Sequence, residues 1–86
     1  MSITFHVEKM YRLPDAGGLK AFADVAVNDA IVIRGIRLLE GKKGLFVSMP
    51  QEQGKDNHWY DQVVCRSTVV YEDMAQKVID HYKKIK

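Results

Sequence analysis

The sequence predicts an α+β fold: an antiparallel sheet of four to five strands with one C-terminal amphipathic helix packed on it. Three observations carry that prediction. Residues Ile31–Pro50 read IVIRGIRLLEGKKGLFVSMP, two apolar runs divided by the four-residue turn Gly41-Lys42-Lys43-Gly44, a pattern that makes a β-hairpin and that no long helix accommodates. Upstream of it, apolar and polar residues alternate with the period of two that marks half-buried strands. Downstream, Tyr71, Ala75, Val78, Tyr82 and Ile85 recur at spacings of four, three, four and three, the stripe of a helix packed along one side.

The first strand is read from Ile3, Phe5, Val7, Lys9, Tyr11 and Leu13 on one parity and Thr4, His6, Glu8, Met10 and Arg12 on the other. Pro14-Asp15-Ala16-Gly17-Gly18 punctuates the ladder as a loop. Leu19, Ala21, Ala23, Val25 and Val27 then alternate with Lys20, Phe22, Asp24, Ala26 and Asn28 as a second strand. Asn28-Asp29 suits a two-residue reversal, because both side chains tolerate positive φ. In the third strand, Ile31–Glu40, the apolar phase slips by one between Ile33 and Ile36, and a bulge at Gly35 restores it. Gly44–Met49 is the fourth strand, ended by Pro50; polar Gln51–Asn57, with Gly54, reads as an exposed loop, and His58–Val64 as a short fifth strand. The helix follows, with Ser67 or Thr68 as N-cap, Glu72 and Asp73 near its N-terminal end, an Asp73–Lys77 pair four apart, and Lys83, Lys84 and Lys86 at its C-terminal end.

Eighty-six residues suit one domain, 1–86, and a core this small buries only about 60–65% of the unfolded surface, which favours pairing of subunits. The chain is 47% hydrophobic and 28% charged, which argues against disorder. Thirteen Lys and Arg against eleven Asp and Glu leave a net charge of +2, too small to imply nucleic acid except through where the charges lie. A lone cysteine, Cys65, points to a reducing compartment. The N-terminus lacks the pattern of a signal peptide, and no apolar run approaches the ~20 residues that cross a bilayer, so the expected place is the cytoplasm, with no membrane partner.

Enzyme signatures are missing. His6, His58 and His81 are scattered without metal-ligand spacing, and each reads as solvent-facing or structurally hydrogen-bonded. Cys65, at a strand-to-helix junction, is open to acidification by a helix N-terminus, yet no base stands beside it and a packed thiol is the simpler reading. Gly41-Lys42-Lys43-Gly44 is too short for a phosphate-cradling loop and leads into a strand; hairpin geometry with a solvated tip accounts for it. The sharper hypothesis rests on Arg34, Arg37, Lys42 and Lys43, four cations within ten residues opposed only by Glu40, with Lys20 and Lys55 extending the patch. Cations gathered along a sheet rim meet phosphates and release counterions, and a β-ribbon fits a major groove. Trp59-Tyr60 can stack on bases, or serve as a core or subunit contact.

On Ile36-Arg37, Gly41, the run Gly44-Leu45-Phe46-Val47-Ser48-Met49-Pro50, Asp61, and Val78 and Tyr82 of the helix, the chain resembles the stage V sporulation protein G, or septation regulator, family. Asp24–Asn28 and Ile31–Ile33 fit the pattern as well, and the similarity runs from about Phe5 to Ile85. The resemblance implies a homodimeric, non-catalytic α+β protein linked to septation and sporulation and acting as a DNA- or RNA-binding regulator. Arg37 and Lys20 match basic residues of the family pattern. The family's Ser-Lys-Arg stretch after Met-Pro is replaced here by Gln51-Glu52-Gln53, a later arginine by Tyr60, and a His-Pro pair by Val64-Cys65. Each lost phosphate contact weakens binding several-fold at physiological salt.

The expected nucleic-acid contacts are therefore Lys20, Arg34, Arg37, Lys42, Lys43 and Lys55, in a homodimer that binds DNA or RNA. No cofactor, metal, catalytic residue or small-molecule substrate is expected. The alternative is a protein-interaction module of the division machinery, docking through a sheet edge or the Gln51–Tyr60 segment.

Overall fold

A computed structural model of the chain describes residues 3–13 and 17–84; the predicted loop at residues 14–16 and Ile85 of the helical stripe lie outside them. Four strands, β1 (Phe5–Arg12), β2 (Leu19–Val27), β3 (Ile31–Gly41) and β4 (Gly44–Ser48), form an antiparallel meander in chain order. Two three-residue strands, β5 (Gln51–Gln53) and β6 (Trp59–Asp61), pair as a separate ribbon. Helix α1 (Thr68–Lys84) packs against β1, β2 and β4 on one face of the sheet.

The core lies between that helix and the sheet. Val7, Ala21, Ala23, Val25, Ile36, Leu38, Val47 and Met49 meet Met74 and Val78 there. The alanines at the centre of β2 let the helix approach closely, while Ile36 and Leu38 of β3 supply bulk. The predicted stripe Tyr71, Ala75, Val78 and Tyr82 does face the sheet, and Met74 between them is fully buried.

Three bulges set which side chains face the helix. The predicted one stands: Ala23 pairs with Ile36 and Val25 with Ile33, so Arg34 and Gly35 together oppose Asp24. Gly35 takes φ 80, the left-handed region that a side chain disfavours, and its amide donates to the Asp24 carboxylate at 3.2 Å. The other two correct the simple alternation. Glu8 is an extra residue between Val7 and Lys9, so Met10 packs on the core, and Tyr11 pairs with Phe22 on the opposite face. Lys20 is an extra residue between Leu19 and Ala21, which sends Leu19 to the face away from the helix. A period of two read straight through cannot register an inserted residue.

The reversals follow the chemistry of their residues. Asn28 and Asp29 both take φ 53, and the Ala30 amide donates to the Val27 carbonyl at 3.0 Å, a tight turn of the hand that suits twisted strands. At the β3–β4 tip Gly41 pairs with Gly44, leaving only Lys42 and Lys43 as the turn. Gln51–Asn57 is not wholly a loop, since β5 occupies its first three residues, and the expected fifth strand shrinks to β6, which leaves the main sheet. β4 ends at Ser48, one residue short of the predicted Met49.

Ser67 is the helix N-cap: its hydroxyl accepts from the Val70 amide at 3.4 Å and its carbonyl from the Tyr71 amide at 3.0 Å. Glu72 and Asp73 fall beyond the first turn, so they gain little from the helix dipole; Asp73 instead pairs with Lys77 at 3.6 Å. The Tyr71 hydroxyl donates to the Val47 carbonyl and ties the helix to β4. At the other end Arg12 lies over the Tyr82 ring, 4.2 Å from its centre, and donates to the Tyr82 carbonyl at 3.0 Å. That places a cation at the helix C-terminus, where the dipole favours it.

Candidate nucleic-acid interface

The helix covers one face of the sheet and leaves the other open. Successive residues of a strand point to opposite faces, so the neighbours of the buried alanines and β3 leucine define this open face. Tyr11, Phe22, Arg37 and Ser48 form one row across all four strands, and Leu19, Leu39 and Phe46 form the next. The β5–β6 ribbon lies beside these rows. Together with Leu19, Phe22, Arg37, Pro50 and Gln51, Trp59 lines a shallow depression of about 460 Å³.

Arg37 is the centre of this site. Its guanidinium donates to the Ser48 hydroxyl at 3.4 Å and to the Gln51 side-chain carbonyl at 3.1 Å, and the Gln51 amide donates onward to Asp61 at 2.7 Å. The oxygens that Arg37 touches are neutral, so among the described residues its charge is oriented but paired with no carboxylate.

The other predicted cations are dispersed. Lys42 and Lys43 are exposed at the β3–β4 tip, and Arg34 is exposed at the Gly35 bulge. Arg34, on β3, and Lys42, in the turn just past its end, are eight residues apart, about 25 Å along the extended chain. Lys20, at its bulge, pairs with Glu40 at 3.5 Å, which offsets its charge. Lys55 stands at the turn of the ribbon. The hairpin thus strings Arg34, Arg37, Lys42 and Lys43 along its length, with Arg37 alone on the aromatic rows.

Tyr11, Phe22 and Phe46 were not among the predicted site residues. Phe22 carries a signal in the sequence: it is an aromatic on the polar parity of β2. Tyr11 carries none, because the Glu8 bulge reverses its apparent side. Trp59 and Tyr60 are exposed, 62% and 50%, so they are not core residues of this chain. The Cys65 thiol is half-buried against the core, and burial pushes its pKa up, away from the reactive thiolate. Among the described residues no three His, Cys, Asp or Glu groups stand where they could hold a metal, and no helix is long and apolar enough to cross a membrane.

The ribbon has its own clasp. The Tyr60 hydroxyl and the His58 amide donate to Asp56, holding that carboxyl below its usual range, and the Asp56 carboxylate in turn raises the Tyr60 phenol. The depressed Asp56 value means the clasp is present above the ordinary carboxyl range and lost as pH falls through the lowered one. The raised Tyr60 value means it persists past the ordinary phenol range and is lost as pH rises through the higher one. NMR titration of the Tyr60 ring should give a pKa above the ordinary value, and Asp56→Asn should return it toward about 10. A Tyr60 titration unmoved by that substitution would show that no clasp exists.

Comparison with known proteins places this arrangement. Residues 1–84 match the SpoVG family. A protein of Archaeoglobus fulgidus named "Putative septation protein SpoVG" is 38% identical over 53 residues, 62% of this chain and 62% of the relative. Proteins of the same name from Clostridium perfringens and Staphylococcus carnosus are 27% and 29% identical over 91% and 90% of this chain, and 87% and 68% of their own lengths. The family match takes in the open aromatic face, the basic hairpin and the helix behind them, and the chain belongs to the SpoVG family.

Proposed function

We propose that this chain is a non-enzymatic regulator linked to septation and sporulation, which works in the cytoplasm as a homodimer and binds DNA or RNA. The septation link rests on the names of its relatives. The nucleic-acid reading rests on one observation above all: Arg37 projects from the open sheet face, held by neutral oxygens, on the same hairpin as the exposed Lys42 and Lys43. An oriented guanidinium without a carboxylate partner is ready for a phosphate. Glu52 and Gln53, where the family pattern is cationic, reduce that attraction and lie outside the hairpin.

Fluorescence anisotropy with labelled DNA and RNA tests this reading. Four phosphate contacts from Arg34, Arg37, Lys42 and Lys43 imply a loss of roughly 50- to 150-fold in affinity between 50 and 200 mM salt. Lys42→Gln with Lys43→Gln should lower the salt slope by about two contacts. No binding at micromolar protein in low salt refutes the nucleic-acid role.

A second reading has its own observation. β4 is an edge strand, and Val64, 71% exposed, lines a shallow depression beside it. An edge strand with an exposed apolar side chain beside it suits strand addition by a partner protein of the division machinery, at the backbone groups that Tyr71 does not hold. Such a contact should change little over the same salt range.

A further inference from the structure

We propose that the nucleic acid this protein takes is single-stranded, with its bases stacked on the open face of the sheet. The inference rests on the nucleic-acid reading above and narrows it. A duplex offers phosphates and groove edges, but its base faces are already stacked on each other. Single strands expose those faces, and an aromatic platform beside cations is the surface that takes them.

The platform is built by strand register. Tyr11, Phe22 and Arg37 are adjacent on three neighbouring strands, and Phe46 stands in the next row on β4. Strands lie about 4.8 Å apart and rows about 7 Å apart, so rings and guanidinium are spaced for successive contacts along one flat surface. Tyr11 and Phe46 are 53% and 47% exposed, which leaves much of each side chain open to solvent. Trp59 reaches the same depression from the ribbon, so a base entering it meets Phe22 and Trp59 with Arg37 and Gln51 at hand for its polar edge. The lysines of the tip follow at the Phe46 end, where the backbone of a stacked strand would pass.

The occupant is argued from charge. A second copy of this chain docked face to face would bring Arg37 against the like charge of its twin near the two-fold axis. Its guanidinium has neutral partners only, so such a dimer would bury two like charges with no carboxylate between them, at a large desolvation cost. A polyanion supplies the missing charge and the aromatic faces together.

Trp59 is the chain's one tryptophan, so intrinsic fluorescence reads this surface without a label. The experiment titrates the unmodified protein with dT12, rU12 and a 12-base-pair DNA duplex at 50 mM salt, following both Trp59 emission and ligand anisotropy. Quenching by a single strand, with weaker binding of the duplex, is the expected result, and comparing dT12 with rU12 separates DNA from RNA. Trp59→Ala and Tyr11→Ala, both at exposed positions, should each weaken single-strand binding about tenfold while leaving the duplex unchanged. If duplex and single strand bind alike, with Trp59 emission constant and the aromatic variants silent, stacking is overturned and the phosphate-contact reading stands. If nothing binds, both fall. If Trp59→Ala instead dissociates a dimer and no single strand quenches Trp59, the face belongs to a second copy and this inference is overturned.

Discussion

Leu38→Ala is expected to destabilise the protein by about 3 kcal/mol, more than half of what a chain this short holds in reserve at the lower end of the usual range. Leu38 is fully buried on the helix-facing side of β3, beside Ile36 and under Met74 and Val78. Removing three carbons there forfeits their transfer energy and leaves a cavity. Ala21, which pairs with Leu38 on β2, has no side chain long enough to fill it. Urea unfolding followed by far-ultraviolet circular dichroism gives the number, and the melting temperature should fall by roughly 12–24 °C. Leu39→Ala is the control. Leu39 is half-buried on the open face, so its loss should cost about 1 kcal/mol. Equal costs at the two positions would mean that the inward and outward faces of β3 have been assigned wrongly.

What the sequence could reveal of this architecture follows from the range of each signal. The Asn28-Asp29 reversal, the Gly35 bulge and the helical stripe depend on residues within a few positions of one another, and each is present where local chemistry puts it. The Glu8 and Lys20 bulges have no such mark: no glycine announces them, and they show only in which residue of β1 or β2 meets which neighbour. Their consequences are not small. They carry Tyr11 and Leu19 to the open face and Met10 to the core, against plain parity. The β5–β6 ribbon was illegible for a related reason, since Gln51-Glu52-Gln53 is polar on both faces and leaves no alternation to detect.

The candidate site divides in the same way. Arg34, Arg37, Lys42 and Lys43 are visible in the sequence as a cluster, because one strand and its turn carry them all. That Arg37 faces aromatic rings whereas Lys20 is occupied by Glu40 depends on cross-strand register, which a linear list of charges does not contain. A charge cluster in sequence becomes a surface only once the pleat has sorted it into faces.

Gly44→Val is expected to cost about 2–3 kcal/mol, and the same position offers a test of why. Lys42 and Lys43 keep negative φ at the hairpin tip, so the reversal is completed by Gly44 at φ 115, a backbone conformation that L side chains rarely adopt. Space is not the obstacle, because a Cβ at this position would meet nothing within 4 Å. The cost is therefore one of handedness. Gly44→Ala should destabilise by about 1–2 kcal/mol, whereas D-alanine introduced at position 44 by chemical ligation should be neutral or stabilising by up to about 1 kcal/mol. Calorimetric melting of the three variants measures this, and an L- and D-alanine pair with equal melting temperatures would rule out handedness as the cause. The effect should reach the functional surface. A β4 that escapes the strain by slipping one residue exchanges Val47 for Phe46 at the core, and moves the Lys42-Lys43 tip away from the Phe46 end of the open face. In the valine variant, affinity for a single strand should therefore fall together with stability.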